Sequence, residues 1–237
     1  MNHRVKSLLW LRWQLLQSNK FLLFVYLISP YVDAYLFRIL VEMMGGREEE
    51  AGMALLVSGL LLGGLTYANA AVFACAIAAE EKQKRNLRTL SLVGVTVGEY
   101  LLSTALIPFG AAIILGSVTP FLFGLPVTNW LLYFALLFVT VVTYLLVGLA
   151  IGLFLKNIAQ ATIVSMVLFL LSCLLPMFYV DWTWLQGFID LSLMGASHTF
   201  LVTGSVKFIS LLALLIWFGL AAFLAIWAYQ RNRKEER

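Results

Sequence analysis

The chain has 237 residues, 62% of them hydrophobic and 12% charged, with a net charge of +4 and a mean hydropathy of +0.94. A soluble domain averages about 45–50% apolar and about 25% charged residues, so the composition excludes a soluble protein and predicts a polytopic, all-α membrane protein. The basic residues gather at the ends of apolar runs, which assigns the charge to membrane topology and not to nucleic acid.

A helix needs about 20 residues to cross the hydrocarbon core. Basic residues precede the first apolar run, as in a signal peptide. That run is long and no A-x-A-like site follows it, so it reads as a span. Residues 1–20 form an interfacial helix, with Val5, Leu8, Leu9, Trp13 and Leu16 on one side and Arg4, Arg12 and Gln14 among its polar positions. Trp10 and Trp13 suit the headgroup layer. Six spans are expected over residues 21–40, 53–79, 98–120, 130–155, 158–179 and 208–229, in a single transmembrane domain covering residues 1–237.

Asp33 lies beyond the middle of the first span, and an intramembrane carboxylate is a functional candidate by default. A packing contact with Arg38 or a neighbouring subunit is the favoured reading, because the spans hold so little other charge. Gly59-x-x-x-Gly63 and Gly148-x-x-x-Gly152 permit close helix approach, inside the subunit or between subunits. Cys75 and Cys173 fall inside apolar runs and read as small packing residues, not as a disulfide or metal site. Only Lys156-Asn157 separates the fourth and fifth spans, which demands a tight helical hairpin. Residues 177–204 carry Trp182, Trp184, Phe188 and Ile189, too apolar for a free loop. They are expected to fold into the outer leaflet as short interfacial or re-entrant helices.

With the N-terminus inside, thirteen of the sixteen basic side chains lie on the cytoplasmic side, while Glu42, Glu48, Glu49, Glu50, Asp181 and Asp190 lie opposite. This asymmetry places both termini in the cytoplasm. The most informative segment is the break between spans two and three, Glu80-Glu81-Lys82-Gln83-Lys84-Arg85-Asn86-Leu87-Arg88-Thr89-Leu90, with six ionic side chains in nine residues. A central Lys or Arg costs roughly 2.5–3.5 kcal/mol in hydrocarbon, so residues 80–97 must lie in water or on the membrane surface. Read as one helix, the segment sets Leu87 and Leu90 on one face, a handle for a soluble partner.

Catalytic motifs are lacking. The sequence contains no G-x-x-x-x-G-K-[ST] loop, no H-E-x-x-H and no G-x-S-x-G. His3 and His198 fall on opposite sides of the predicted membrane, and His198 reads as a surface loop residue. The chain is expected to bind no cofactor or metal and to be no enzyme by itself.

The pattern as a whole resembles the type-2 permeases of ABC exporters. The resemblance rests on six spans with both ends inside, a surface helix before the first, a charged helix after the second and an apolar outer segment before the sixth. Glu80-Glu81-Lys82-Gln83-Lys84 matches the family's charged stretch, and Leu87, Leu90 and Glu99-Tyr100 fall in step with its pattern. Arg85-Asn86 stand where Gly-Thr is usual, Arg88 where Glu is usual and Gly94 where Pro is usual. Leu155-Lys156-Asn157-Ile158-Ala159-Gln160-Ala161, ending at Leu175-Pro176-Met177-Phe178 and followed by Trp184-Leu185-Gln186, is similar to the fifth-span signature.

The resemblance implies a dimer, with a second copy or a homologous permease, packed along spans one and five. It also implies a separate ABC ATPase subunit that binds ATP and Mg, in a cell membrane, here a bacterial plasma membrane. Residues Glu80, Glu81, Lys84, Arg85, Leu87, Arg88 and Leu90 would form the coupling helix. Tyr67, Asn69, Ser165 and Ser172 would line a substrate cavity near the dimer axis. The scarcity of buried charge points to a hydrophobic drug, a lipid or an amphipathic peptide as cargo. Two other readings share these features: a non-transporting ABC membrane subunit in signalling or self-immunity, and an ion-driven carrier, which the sparse charge disfavours.

Overall fold

The structure, a computed structural model, describes residues 2–18, 28, 30–32, 35–36, 39, 48–123, 125, 127–155, 157–177 and 183–235. Nine helices run through them: α1 (Asn2–Ser18), α2 (Glu48–Gln83), α3 (Asn86–Leu92), α4 (Val97–Phe123), α5 (Trp130–Phe154), α6 (Ile158–Met177), α7 (Thr183–Asp190), α8 (Gly195–Thr203) and α9 (Phe208–Glu235). There is no strand among the described residues. Stretches within α2, α4, α5 and α9 are long and apolar enough to cross a membrane (Leu62–Gln83, Val97–Phe123, Trp130–Phe154 and Phe208–Arg233), and α6 is apolar over Ile158–Leu168. Most of the predicted first span, with Asp33, lies outside the described residues.

Helix α2 is the centre of the bundle, packed against α4, α5 and α6. Lipid tails are as apolar as leucine, so helices in a bilayer associate by close packing and not by hydrophobic exclusion. The sequence supplies that packing with small residues. Ala70, Ala71, Ala74 and Ala78 are wholly buried on α2. Opposite them Gly148 and Gly152 on α5 leave no room for a Cβ, which would strike the Ala71 and Cys75 carbonyls. The second G-x-x-x-G is therefore an intrasubunit contact. Cys75 is buried and free, its thiol directed at the Ala161 carbonyl at 3.7 Å, in keeping with a packing role.

Two prolines interrupt the ladder of α4. Pro120 has no N–H to offer the Gly116 carbonyl four residues back. The Tyr133 hydroxyl of α5 donates to that carbonyl instead, so a backbone acceptor that lipid could not satisfy is met by a neighbouring helix. Outward, α4 and α9 expose Ile114, Phe121, Ile209 and Phe223 at 63–71%. Large apolar side chains exposed in this number fit lipid and not water.

Helix α1 differs from expectation in which face it buries. Trp10, Leu11 and Trp13 are exposed, while Arg12 is 3% exposed. The predicted polar position is thus the innermost described side chain, because α4 and the end of α2 supply it with partners. The apolar segment before α9 does form two short helices. On α7 Trp184 and Phe188 are exposed and Ile189 is buried, whereas α8 is buried from Gly195 to Leu201. His198, expected at the surface, is 1% exposed on α8. It sits there because α8 packs on α5, with Ser197 and Thr140 hydroxyls 2.7 Å apart. The element is latched to the start of α9 by Lys207, 2.7 Å from Asp190, which also accepts from the Thr199 hydroxyl.

Candidate functional site

The charged break divides into three parts. Residues 80–83 complete α2, Lys84 and Arg85 form a turn, and α3 begins at Asn86. The turn is closed by N–H donation from Lys84 to the Glu80 carbonyl and from Arg85 to the Lys82 carbonyl. Arg85 has φ 57°, in the left-handed region where L side chains cost energy. This is the position at which the resembled family carries glycine. Helix α3 ends on Gly94 with φ 78°, and the Val95 N–H donates back to the Leu90 carbonyl at 3.0 Å. That is a Schellman closure, so glycine at position 94 does what the usual proline cannot. Helix α4 then opens with a capping box. The Thr96 N–H donates to Glu99 at 2.9 Å, and the Glu99 N–H donates to the Thr96 hydroxyl at 3.3 Å. Glu99 is thereby a structural residue, and Thr96-x-x-Glu99 was its legible signal.

The seven candidate coupling residues separate into an inner and an outer group. Leu87 is 3% exposed within the main core, and Leu90 packs against that core. The expected Leu87–Leu90 docking face is therefore turned toward the chain itself. Glu81 is also internal: it binds Arg12 at 2.9 Å. Arg12 further donates to the Ser103 hydroxyl at 3.1 Å and stands over the Tyr100 ring at 5.5 Å, while Tyr100 packs on Tyr229 at 4.8 Å. Tyr100, in step with the family pattern, is wholly buried here. The outer group is Glu80, paired with Lys84 one turn away, and Arg85. Sequence reasoning missed the apolar part of this surface, Leu92 at 79% and Val93 at 60% exposed. The Arg88 side chain lies outside the described residues.

Lys82 and Gln83, between the two groups, reach other helices. The Lys82 ammonium donates to the Leu153 carbonyl at 2.6 Å and to the Phe154 carbonyl at 3.4 Å, both in the last turn of α5. Leu153 also accepts from the Asn232 amide of α9 at 2.8 Å. Gln83 Oε1 accepts from the Ile158 N–H at 3.2 Å, the first amide of α6, and Asn157 caps the Gln160 N–H at 2.9 Å.

The three candidate cavity residues whose side chains are described do not converge. Tyr67 is buried near Ser197, its ring 5.8 Å from that of Tyr144. Ser165 is buried beside Cys75 at the α2–α6 contact. Asn69 is half-buried, and the Ser172 side chain is outside the described residues. The described grooves lie elsewhere. One of about 640 Å³ is lined by Lys6, Trp10 and Trp13 of α1 and Ile107 of α4, and another of about 350 Å³ runs between α4 and α5 past Leu102, Phe109 and Phe138. Helix α6 shows an uncovered apolar face of Ile163, Val164, Met166, Val167 and Leu171.

A helical bundle with an apolar perimeter and a charged helical excursion between two spans defines a multi-pass membrane protein. The chain belongs to the ABC-2 type transporter family, whose model matches residues 3–194, from α1 to the turn before α8. It is a transmembrane component of an ABC transporter and is not itself catalytic; permeases of this family normally work with a separate ATPase subunit. No curated protein and no solved structure matches the chain.

Proposed function

We propose that this chain is the permease subunit of an ATP-driven exporter, moving a hydrophobic or amphipathic molecule out of the cytoplasm or inner leaflet. The observation that carries this reading is α3, a short helix set between two spans, which with its flanking turns exposes Arg85, Leu92 and Val93 while its other face is held in the core. A rigid knob of that kind suits a cleft in a separate ATPase, which binds ATP and Mg. Closure of the ATPase pair would move it and switch the membrane dimer between inward and outward openings.

Six spans with both termini cytoplasmic put α3 on the ATPase side. The uncovered face of α6 is where a second copy, or a homologous permease, packs. The substrate path then lies between the two copies, next to Asn69 and α6, and not inside one bundle where Tyr67 and Ser165 are closed off.

The test is co-purification of the permease with its ATPase. Leu92→Asp with Val93→Asp should remove the ATPase while leaving the permease folded, since neither side chain is buried. Leu87→Asp should instead lower the yield of folded permease. Normal ATPase recovery with the Leu92/Val93 double variant would overturn the assignment of α3. Proteoliposome transport of a hydrophobic dye, dependent on ATP, separates an exporter from a non-transporting subunit.

A further inference from the structure

We infer that Lys82 and Gln83 are positioning residues that carry the movement of α3 into the α5–α6 hairpin. The inference rests on the coupling role proposed for α3 and adds the route by which its motion reaches the face of α6. Successive residues on a helix point about 100° apart, and the last turn of α2 uses this to hold three elements at once. Glu81 is bound to Arg12 of α1, Lys82 to the end of α5 and Gln83 to the start of α6.

The chemistry of the two hairpin contacts is matched to the helix ends. The last carbonyls of a helix and its first amides lack partners within the helix, and carry partial negative and positive charge respectively. Lys82 places a cation on the α5 carbonyls, and Gln83 places a carbonyl oxygen on the α6 amide. Helix α5 stops at Phe154 and α6 starts at Ile158, so both contacts fall within one tight connection. The residues are joined to α3 through only the Lys84–Arg85 turn. A displacement of α3 therefore pulls on the hairpin through side chains, across some 70 positions of sequence that separate Lys82 from Leu153. What moves with it is α6, which like α4 and α9 carries an exposed apolar face.

The experiment is hydrogen exchange on the reconstituted permease–ATPase complex, free of nucleotide and trapped with ATP and orthovanadate. The wild-type complex should show a nucleotide-dependent change at residues 86–92 and at residues 158–161. With Lys82→Met and Gln83→Met together, the change at 86–92 should persist, while that at 158–161 falls about fivefold or more, the scale of a typical coupling between sites. Gln83→Glu keeps an acceptor oxygen and should respond as wild type, whereas a general loosening of the fold would not be rescued by it. Should the double variant fail to assemble, Gln83→Met alone carries the test, because that side chain is exposed. An undiminished response at 158–161 in the Met variants overturns the inference. So does a wild-type response at 86–92 with none at 158–161, which leaves the coupling role of α3 standing. No wild-type response at 86–92 overturns the coupling role and the inference together.

Discussion

Arg12 and Glu81 form an ion pair at one end of the bundle, with side-chain exposures of 3% and 15%. Removing one partner of a buried pair strands the other charge and costs about 3–5 kcal/mol, while replacing both by apolar residues of similar size is close to neutral. Arg12→Ala should therefore unfold the detergent-solubilised permease at markedly lower temperature. Arg12→Met with Glu81→Leu should recover most of the loss, and thermal unfolding of wild type, Arg12→Met, Glu81→Leu and the double variant measures it. Equal stability of Arg12→Ala and wild type would show that the pair contributes nothing. Arg85 makes a second residue-scale case. Its left-handed backbone costs about 1 kcal/mol or more relative to glycine. Arg85→Gly should hold or raise stability, and weaken ATPase recovery if the guanidinium meets the partner. A clear fall in unfolding temperature would show that the side chain is needed within the permease.

Between elements, the decisive contact is α2 on α5. The Gly148 Cα faces the Ala71 backbone, which cannot swing aside as a side chain can. Gly148→Val should cost about 2 kcal/mol or more, since overpacking a tight contact typically costs 1–3. Gly98→Ala and Gly219→Ala meet nothing within 4 Å and serve as controls. Comparable yields of folded protein from Gly148→Val and the controls would mean the two helices can part without penalty. Extension of α2 to Gln83, four residues past the predicted end of the span, has the same kind of cause. Apolarity sets where hydrocarbon ends, but hydrogen bonds to α1, α5 and α6 let the helix continue into the polar layer.

For the whole molecule the testable property is sidedness. Single cysteines at positions 48, 84 and 182, in a background lacking Cys75 and Cys173, should react with a membrane-impermeant thiol reagent outside, inside and outside respectively. External labelling at position 84 in intact cells would reverse the topology and remove α3 from the ATPase side. The helical class and the short connection between α5 and α6 could be read along the sequence, because each follows from local hydropathy and chain length. Catalytic chemistry was likewise not expected from a chain without a phosphate-binding loop, in keeping with a permease component that is not itself catalytic.

What hydropathy could not decide is where each polar side chain goes. Helical spacing placed Leu87 and Leu90 on a common face, but only the packing of α3 against α2 and α9 turns that face inward and leaves Leu92 and Val93 outside. A pattern reading assigns arginine to solvent; Arg12 is buried because Glu81, Ser103 and Tyr100, distant in sequence, converge on it. Tyr67 and Ser165 were polar residues in spans, open to a role in a cavity, until α8 and Cys75 supplied their neighbours. The sequence by itself determined that this chain lives in a membrane and presents a charged excursion, since solvation free energies depend on local composition. Tertiary structure decided which charges are spent inside, because hydrogen bonding is short-ranged and its partners here lie 69 to 91 positions apart.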